Sequence, residues 1–229
     1  MSDYYAPFAA IYDTWAAHMT EDVPFYVELA QEADGPVVEL AVGNGRVAVP
    51  VAKAIGRSVI GIDVSPAMLE QARGRAAAEG VDLDLRLGDM RELELEERAA
   101  LIYSPFRSLL HLPTWADKRR VFERVAANLQ PGGRFVWNAF VYDFAIAGKV
   151  HGHDDDPVPH TVTQVPHESR VDIELDSGGK ISLWWATKNE WEGLIDVSGL
   201  EVEALYGDFE RGPFTEESRE FVWVARKPE

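Results

Sequence analysis

The ten residues Val37-Val38-Glu39-Leu40-Ala41-Val42-Gly43-Asn44-Gly45-Arg46 constrain the fold of this chain more than any other stretch. Val37 to Val42 reads as an apolar strand and Arg46 to Ile55 as a helix, with Gly43 and Gly45 at the turn between them. Glu39 stands near the strand end, before the first of these glycines. Glycine has no β-carbon, so the backbone turns sharply there and another molecule can lie against it. The free N–H groups that open the following helix favour an electron-rich or anionic ligand portion. A strand, a glycine turn and a helix in this order suit a nucleotide-type cofactor.

The chain continues the alternation. Ser58 to Ile62 is a second strand, rich in β-branched residues. Ser65-Pro66 opens a helix, with Ser65 as N-cap and Pro66 at the first helical position, and Gly80 stops it. Leu83, Leu85 and Leu87 alternate with charged residues, which predicts a third strand near a sheet edge. Ala99 to Tyr103 is a fourth strand. Thr114 caps a helix to about Gln130, Pro131-Gly132-Gly133 breaks it, and Arg134 to Phe140 is a fifth strand. Such alternation implies a doubly wound, mostly parallel α/β sheet.

After residue 143 the pattern changes. Residues 148–160 read as a polar loop, and Val162 to Leu175 and Ile181 to Ala186 as two strands of a hairpin through Asp176-Ser177-Gly178-Gly179. Pro166 inside the first of these implies an edge position or a break. Asn189 caps a short helix to about Val197, and Leu200 to Tyr206 and Phe221 to Ala225 close the chain as two more strands. The expectation is one domain over 1–229, with an aromatic-rich helical lead at 1–35 and a small antiparallel insertion at 145–187.

Composition narrows the partners. Acids outnumber bases 39 to 22, a formal net charge of −17, so phosphate backbones and anionic lipid are repelled. No nucleic acid and no membrane partner is expected. The absence of cysteine removes disulfides, thiolate nucleophiles and cysteine-ligated metal. No secretory signal and no apolar run of about 20 residues is visible, so a cytoplasmic protein is expected. The insertion strands allow a homodimer without requiring one.

Four pieces follow in the order that an adenosine-bearing cofactor needs. Glu39 and the glycine turn come first. Asp63 ends strand two, where its two oxygens can accept from two ribose hydroxyls. Asp89-Met90 follows strand three; the acid can take an adenine amino proton while the Met covers an apolar face. Ser104-Pro105-Phe106 follows strand four and lines the reacting end. Ligands of open α/β sheets bind outside the carboxyl ends of the strands, where all four pieces fall.

These residues resemble the class I S-adenosylmethionine-dependent methyltransferases. The resemblance runs from about Tyr4 to Lys227. It rests on Glu39-Leu-Ala-Val-Gly-Asn-Gly-Arg46, Gly61-Ile-Asp-Val-Ser-Pro-Ala-Met-Leu69, Gly88-Asp-Met90 and Leu129-Gln-Pro-Gly-Gly-Arg-Phe135. The family's acid-x-Gly-x-Gly-x-Gly turn appears with Ala41 in the first glycine place. The resemblance implies a seven-stranded Rossmann-like sheet ending in an antiparallel hairpin, with S-adenosyl-L-methionine as cofactor. Glu39, Ala41, Gly43 and Gly45 then surround the methionine part, with Arg46 at its carboxylate or on an acidic neighbour. Asp63 holds the ribose with Val64 beside it, Asp89 and Met90 take the adenine, and the Ser104 carbonyl lies near the amino group or the sulfonium. The implied activity is methyl transfer to N or O of a small molecule, under a lid formed by residues 1–30 and the insertion.

Other readings stay open at this point. Gly43-Asn-Gly45-Arg-Val-Ala48 also fits the dinucleotide fingerprint G-x-G-x-x-A, with Asp63 about 20 residues past the turn, so an NAD-dependent oxidoreductase is the alternative. A cofactor-binding protein without methyl transfer is another. His111, after strand four, has the chemistry of a base near neutral pH. Tyr5, Tyr12 and Trp15 offer aromatic faces to a cationic sulfur, and Tyr12 joins His111 as a catalytic candidate. Trp184 and Trp185 offer apolar surface for an acceptor. His151, His153 and His160 with Asp154, Asp155 and Asp156 have metal-ligand chemistry but no fixed spacing, so no metal is expected.

Overall fold

Seven strands lie in one sheet in the order β3-β2-β1-β4-β5-β10-β9. They are β1 (Val37–Leu40), β2 (Val59–Asp63), β3 (Leu83–Leu87), β4 (Ala99–Ser104), β5 (Leu129–Phe140), β9 (Glu201–Tyr206) and β10 (Glu220–Arg226). Strands β1 to β5 run parallel, and β10 runs antiparallel to both β5 and β9. A second, three-stranded antiparallel sheet contains β6 (His160–Val165), β7 (Arg170–Leu175) and β8 (Lys180–Trp184). The computed structural model describes residues 20–143 and 158–229, together with Ala9, Ile11, Tyr12 and Thr14. Among these residues no helix is long and apolar enough to cross a membrane.

Helices cover both faces of the large sheet: α1 (Asp22–Glu32), α2 (Ala48–Ile55), α3 (Pro66–Glu79), α4 (Trp115–Asn128) and α5 (Lys188–Val197). Side chains along a strand alternate between faces, and β5 sorts its residues in this way. Phe135 and Trp137 pack with Phe122 of α4 and Trp191 of α5, while Val136 joins Phe25 and Tyr26 of α1 and Val51 of α2. Trp137 stacks on Trp223 of β10 with centroids 6.0 Å apart and meets Phe122 edge-on at 4.9 Å. Gly61 is held by packing: a β-carbon there falls 2.8 Å from Val42 and 2.9 Å from Leu85 side chains, so even alanine overpacks β2.

Local chemistry sets the boundaries, and several differ from the sequence reading. Ser65 caps α3 by accepting from Met68 N at 3.2 Å, and Gly80 ends it in the left-handed region. The first helix after the glycine turn begins at Ala48, not Arg46. Helix α4 ends at Asn128, and β5 starts at once and runs through Pro131-Gly132-Gly133 with a register shift against β4. The stretch Val162–Leu175 is two strands, because a 3-10 turn at Pro166–Glu168 interrupts it. The cap of α5 is Thr187, not Asn189. Thr187 and Glu190 form a reciprocal capping box, so the S/T-x-x-E pattern outweighs a lone Asn.

Candidate functional site

The carboxyl ends of β1, β2, β3 and β4 bring the sequence-read pieces to one edge. Asp63 pairs laterally with Leu87, and Gly88 N donates to Asp63 O at 2.9 Å, so Asp89 lies just beyond the neighbouring strand end. The Asp63 carboxylate accepts from Gly43 N and from Ser65 N, each at 2.8 Å. It thereby ties the glycine turn to the end of β2. Val64 beside it is 49% exposed, at the outer side of this edge.

Glu39 pairs with Tyr103 on β4 and Gly61 on β2. Alternation points it to the face carrying Val37 and α1. It is 1% exposed, and its Oε2 has no hydrogen-bond partner among the described residues. The Tyr103 hydroxyl faces the carboxylate without closing a full hydrogen bond. Burial pushes the Glu39 pKa up to about 8, against the opposing pull of Tyr103 and Arg46. A buried carboxylate oxygen without a donor costs free energy and calls for a cation or an N–H from outside the fold.

Ala41 stands at φ 55 and Gly43 and Gly45 at φ 54 and 78, so the turn is left-handed at three places. Glycine takes that conformation freely, whereas alanine at the first place costs roughly 1–2 kcal/mol. A β-carbon on Gly43 would come no closer than 4.0 Å to any described residue other than its chain neighbours, which leaves its outer face bare among the described residues.

Arg46 begins the segment before α2, an unfavourable end for a cation. Asp22 of α1 answers it: the guanidinium donates to both carboxylate oxygens at 2.6 and 2.7 Å, with side chains 10% and 6% exposed. Burial presses the Arg46 pKa down, but its hydrogen bonds to Asp22 outweigh this and raise the value. Of the two alternatives for Arg46, the contact present is the acidic neighbour. The guanidinium also covers the Phe106 ring at 4.9 Å.

Phe106 and Arg107 follow β4 with φ of 56 and 63, two consecutive non-glycine residues in the left-handed region. Arg107 clamps Glu220 with a bond of 2.7 Å to Oε2, and Asn138 of β5 donates to Glu220 Oε1 at 2.6 Å. Tyr26 donates to Asn138 Oδ1 at 3.2 Å and stacks on Tyr103 at 5.0 Å. Hydrogen bonds thus link Tyr26, Asn138 and Glu220, and ring stacking sets Tyr26 beside Tyr103.

A hollow of about 20 Å³ beside the glycine turn is lined by Glu39, Ala41, Arg46, Tyr12 and Phe106, among others. That is room for about one water. Tyr12 meets Phe106 edge-on at 5.9 Å, so a larger ligand group enters only when one of these rings moves. Burial pushes the Tyr12 pKa up to about 12, which keeps its hydroxyl protonated at neutral pH.

Asp89 caps the 3-10 turn Met90–Glu92 and binds the Arg91 guanidinium, which also reaches Asp117 at 2.7 Å. Burial opposes ionisation of Asp89, but Arg91 outweighs it and holds the pKa low. Met90 packs partly buried against the core. Ser104 is fully buried, its hydroxyl without a hydrogen-bond partner among the described residues. His111 ends the 3-10 turn Ser108–His111, and desolvation pushes its pKa down to about 4, so it is neutral near pH 7. Trp185 stacks on Tyr142 at 4.3 Å. Tyr5, Trp15, His151, His153 and Asp154 to Asp156 lie outside the described residues. Sequence reasoning missed Asp22, Asn138 and Glu220; each acts through a partner 24 or more positions away, so no local pattern marks it.

Comparison with known proteins agrees with the sheet order. A family model described as "Methyltransferase domain" matches residues 37–133. The 27-O-demethylrifamycin SV methyltransferase of Amycolatopsis mediterranei (strain S699) is 26% identical over 221 residues, 88% of this chain and 80% of that protein. A ubiquinone biosynthesis O-methyltransferase of Coxiella burnetii (strain Dugway 5J108-111) is 23% identical over 180 residues, covering 76% and 70%. Among solved structures, the CcbJ methyltransferase from Streptomyces caelestis superimposes with a TM-score of 0.81 at 28% identity, over 97% of this chain and 96% of that one. The antiparallel β10 between β5 and β9 also departs from the all-parallel dinucleotide sheet, against the NAD reading.

Proposed function

We propose that this chain, a class I S-adenosylmethionine-dependent methyltransferase, moves a methyl group to N or O of a small-molecule acceptor. The observation that carries the reading is the buried, unpartnered Oε2 of Glu39 beside a glycine turn with a bare outer face. That oxygen suits the ammonium of the cofactor's methionine part, with Ala41, Gly43 and Gly45 giving the backbone clearance. Asp63 and Val64 take the ribose side, Asp89 and Met90 the adenine side, and the Ser104 carbonyl faces the sulfur end. Arg46 positions the turn through Asp22 rather than meeting the ligand carboxylate. When bound, the cofactor supplies an electrophilic methyl on a sulfonium whose sulfur takes back the electron pair.

The residues of the chain then orient and exclude water. Tyr12 and Phe106 close over the sulfur end. His111 is neutral at pH 7, but its pKa of about 4 makes it a weak base and it lines neither cavity, so the site suits an amine acceptor, which needs no base, better than a hydroxyl. The relatives act on both kinds of atom: one is described as an O-methyltransferase, and the glycopeptide enzyme MtfA as an N-methyltransferase. The test is release of S-adenosylhomocysteine by the purified chain across panels of amines and alcohols. Turnover with members of one panel is expected; saturable NADH binding without S-adenosylhomocysteine binding contradicts the reading.

A pH dependence follows from Glu39, which faces Tyr103 on β4, Tyr12, Arg46 at the turn, Asp22 on α1 and Asp63 on β2. An ammonium ligand needs the carboxylate form, and the group is mostly protonated below about pH 8. Affinity for S-adenosylhomocysteine is therefore expected to rise about tenfold or more from pH 6 to 8. Glu39→Gln flattens this profile in calorimetric titrations; an unchanged slope in that variant contradicts the role given to Glu39. Folding has the opposite sign. The folded state holds a proton that the unfolded chain releases near 4.5, so this contribution to stability falls as pH rises from 4.5 towards 8.

A further inference from the structure

Next to the hollow at the glycine turn, the same sheet edge holds a groove of about 730 Å³ between α1, the end of β4 and the loop after β9. Its size suits a small organic molecule. Phe106 belongs to the walls of both cavities. Asp22 lines the groove and is paired to Arg46, which lines the hollow. One ring and one ion pair therefore separate the groove from the proposed sulfur end. Trp184 and Trp185 do not line it.

The charges of the groove are unevenly matched. Each of its three arginines is committed to an acid: Arg107 to Glu220 at 2.7 Å, Arg211 to Glu28 at 3.3 Å and Arg219 to Asp143 at 3.8 Å. Three of its carboxylates, Glu21, Asp208 and Glu210, have no cationic partner among the described residues. Asp208 accepts only from the backbone N–H groups of Glu210 and Gly212, at 2.9 and 2.8 Å. Phe209 adds an aromatic face, while Phe25 and Phe106 each already carry an arginine, Arg211 at 5.7 Å and Arg46 at 4.9 Å. An anionic guest meets unpaired carboxylates and no uncommitted cation. A cationic guest meets carboxylates and the Phe209 ring, both of which attract it.

We propose that this groove is the acceptor site and that the acceptor carries an ammonium group, seated among Glu21, Asp208 and Glu210, while a separate nucleophilic atom of the acceptor reaches the methyl donor past a displaced Phe106. The inference rests on the methyl-transfer reading and adds the charge class of the substrate.

The test uses the full chain saturated with S-adenosylhomocysteine and matched probes on one carbon skeleton: benzylamine against benzoate, and cyclohexylmethylamine against cyclohexanecarboxylate. Ligand-detected NMR titrations measure each pair. The amines are expected to bind about tenfold tighter than the carboxylates. The double variant Glu21→Lys, Glu210→Lys removes that preference and leaves S-adenosylhomocysteine affinity within about twofold. Amines that bind no better than carboxylates, amines that do not bind, or a preference that survives the double variant overturns the inference. Failure of wild-type chain to bind S-adenosylhomocysteine defeats the methyl-transfer reading instead, so the two failures are distinct.

Discussion

Asp63→Ala is expected to weaken S-adenosylhomocysteine binding by about a hundredfold or more while the sheet stays assembled. The carboxylate has two tasks at one place. Its oxygens accept from Gly43 N and Ser65 N, which fixes the glycine turn against the end of β2. A carboxylate presents two oxygens, the chemistry that a ribose diol requires. Hydrogen bonds to a charged group contribute about 1.5–3 kcal/mol each, so loss of two of them accounts for the expected drop. Asp63→Asn separates the two tasks in part. It keeps one carbonyl oxygen but turns an N–H₂ towards a backbone donor, so it too loses affinity. Calorimetry gives the affinities, and circular dichroism confirms the fold. Affinity within about threefold of wild type in Asp63→Ala shows that the ribose lies elsewhere.

Arg46→Ala is expected to produce the largest loss of stability among the site variants, about 3–5 kcal/mol, because it leaves Asp22 buried without its counter-charge. For a chain of 229 residues, this lowers the melting temperature by about 10 °C. Asp22→Ala behaves alike, since the guanidinium then loses both oxygens at 2.6 and 2.7 Å. The double variant Asp22→Leu, Arg46→Met removes both charges and recovers most of the loss, as replacement of a whole buried pair often does. Melting curves of the wild type, Asp22→Leu, Arg46→Met and their double variant form a double-mutant cycle. Single variants that melt within about 2 °C of wild type contradict a tether between α1 and the glycine turn.

Elements whose signal is local were legible in the sequence. Alternating Leu83, Leu85 and Leu87 announced an edge strand, and β3 is one. Ser65-Pro66 and Gly80 bounded α3 at both ends. The order of Glu39, Asp63, Asp89 and Ser104 along the chain placed them at one sheet edge, because parallel strands with crossovers all end there. The chemistry between elements was not legible. Arg46 looked misplaced at a helix start until Asp22, 24 residues earlier, closed on it. Asn138 and Glu220, 82 residues apart, meet only because β10 returns beside β5. Pro131-Gly132-Gly133 read as a break, yet pairing with β4 carries the strand through it with a shifted register. The aromatic pair at Trp184 and Trp185 suggested an acceptor pocket near the insertion, whereas the large groove is framed by α1 and the loop after β9.

A crystal structure of the full chain with S-adenosylhomocysteine tests the reading most directly. The ligand amino group is expected within hydrogen-bond distance of Glu39 Oε2, the ribose against Asp63, and the adenine beside Asp89 and Met90, with Tyr12 or Phe106 displaced from the hollow. Ligand density anywhere other than the carboxyl ends of β1 to β4, or a Glu39 oxygen still unpartnered in the complex, contradicts it.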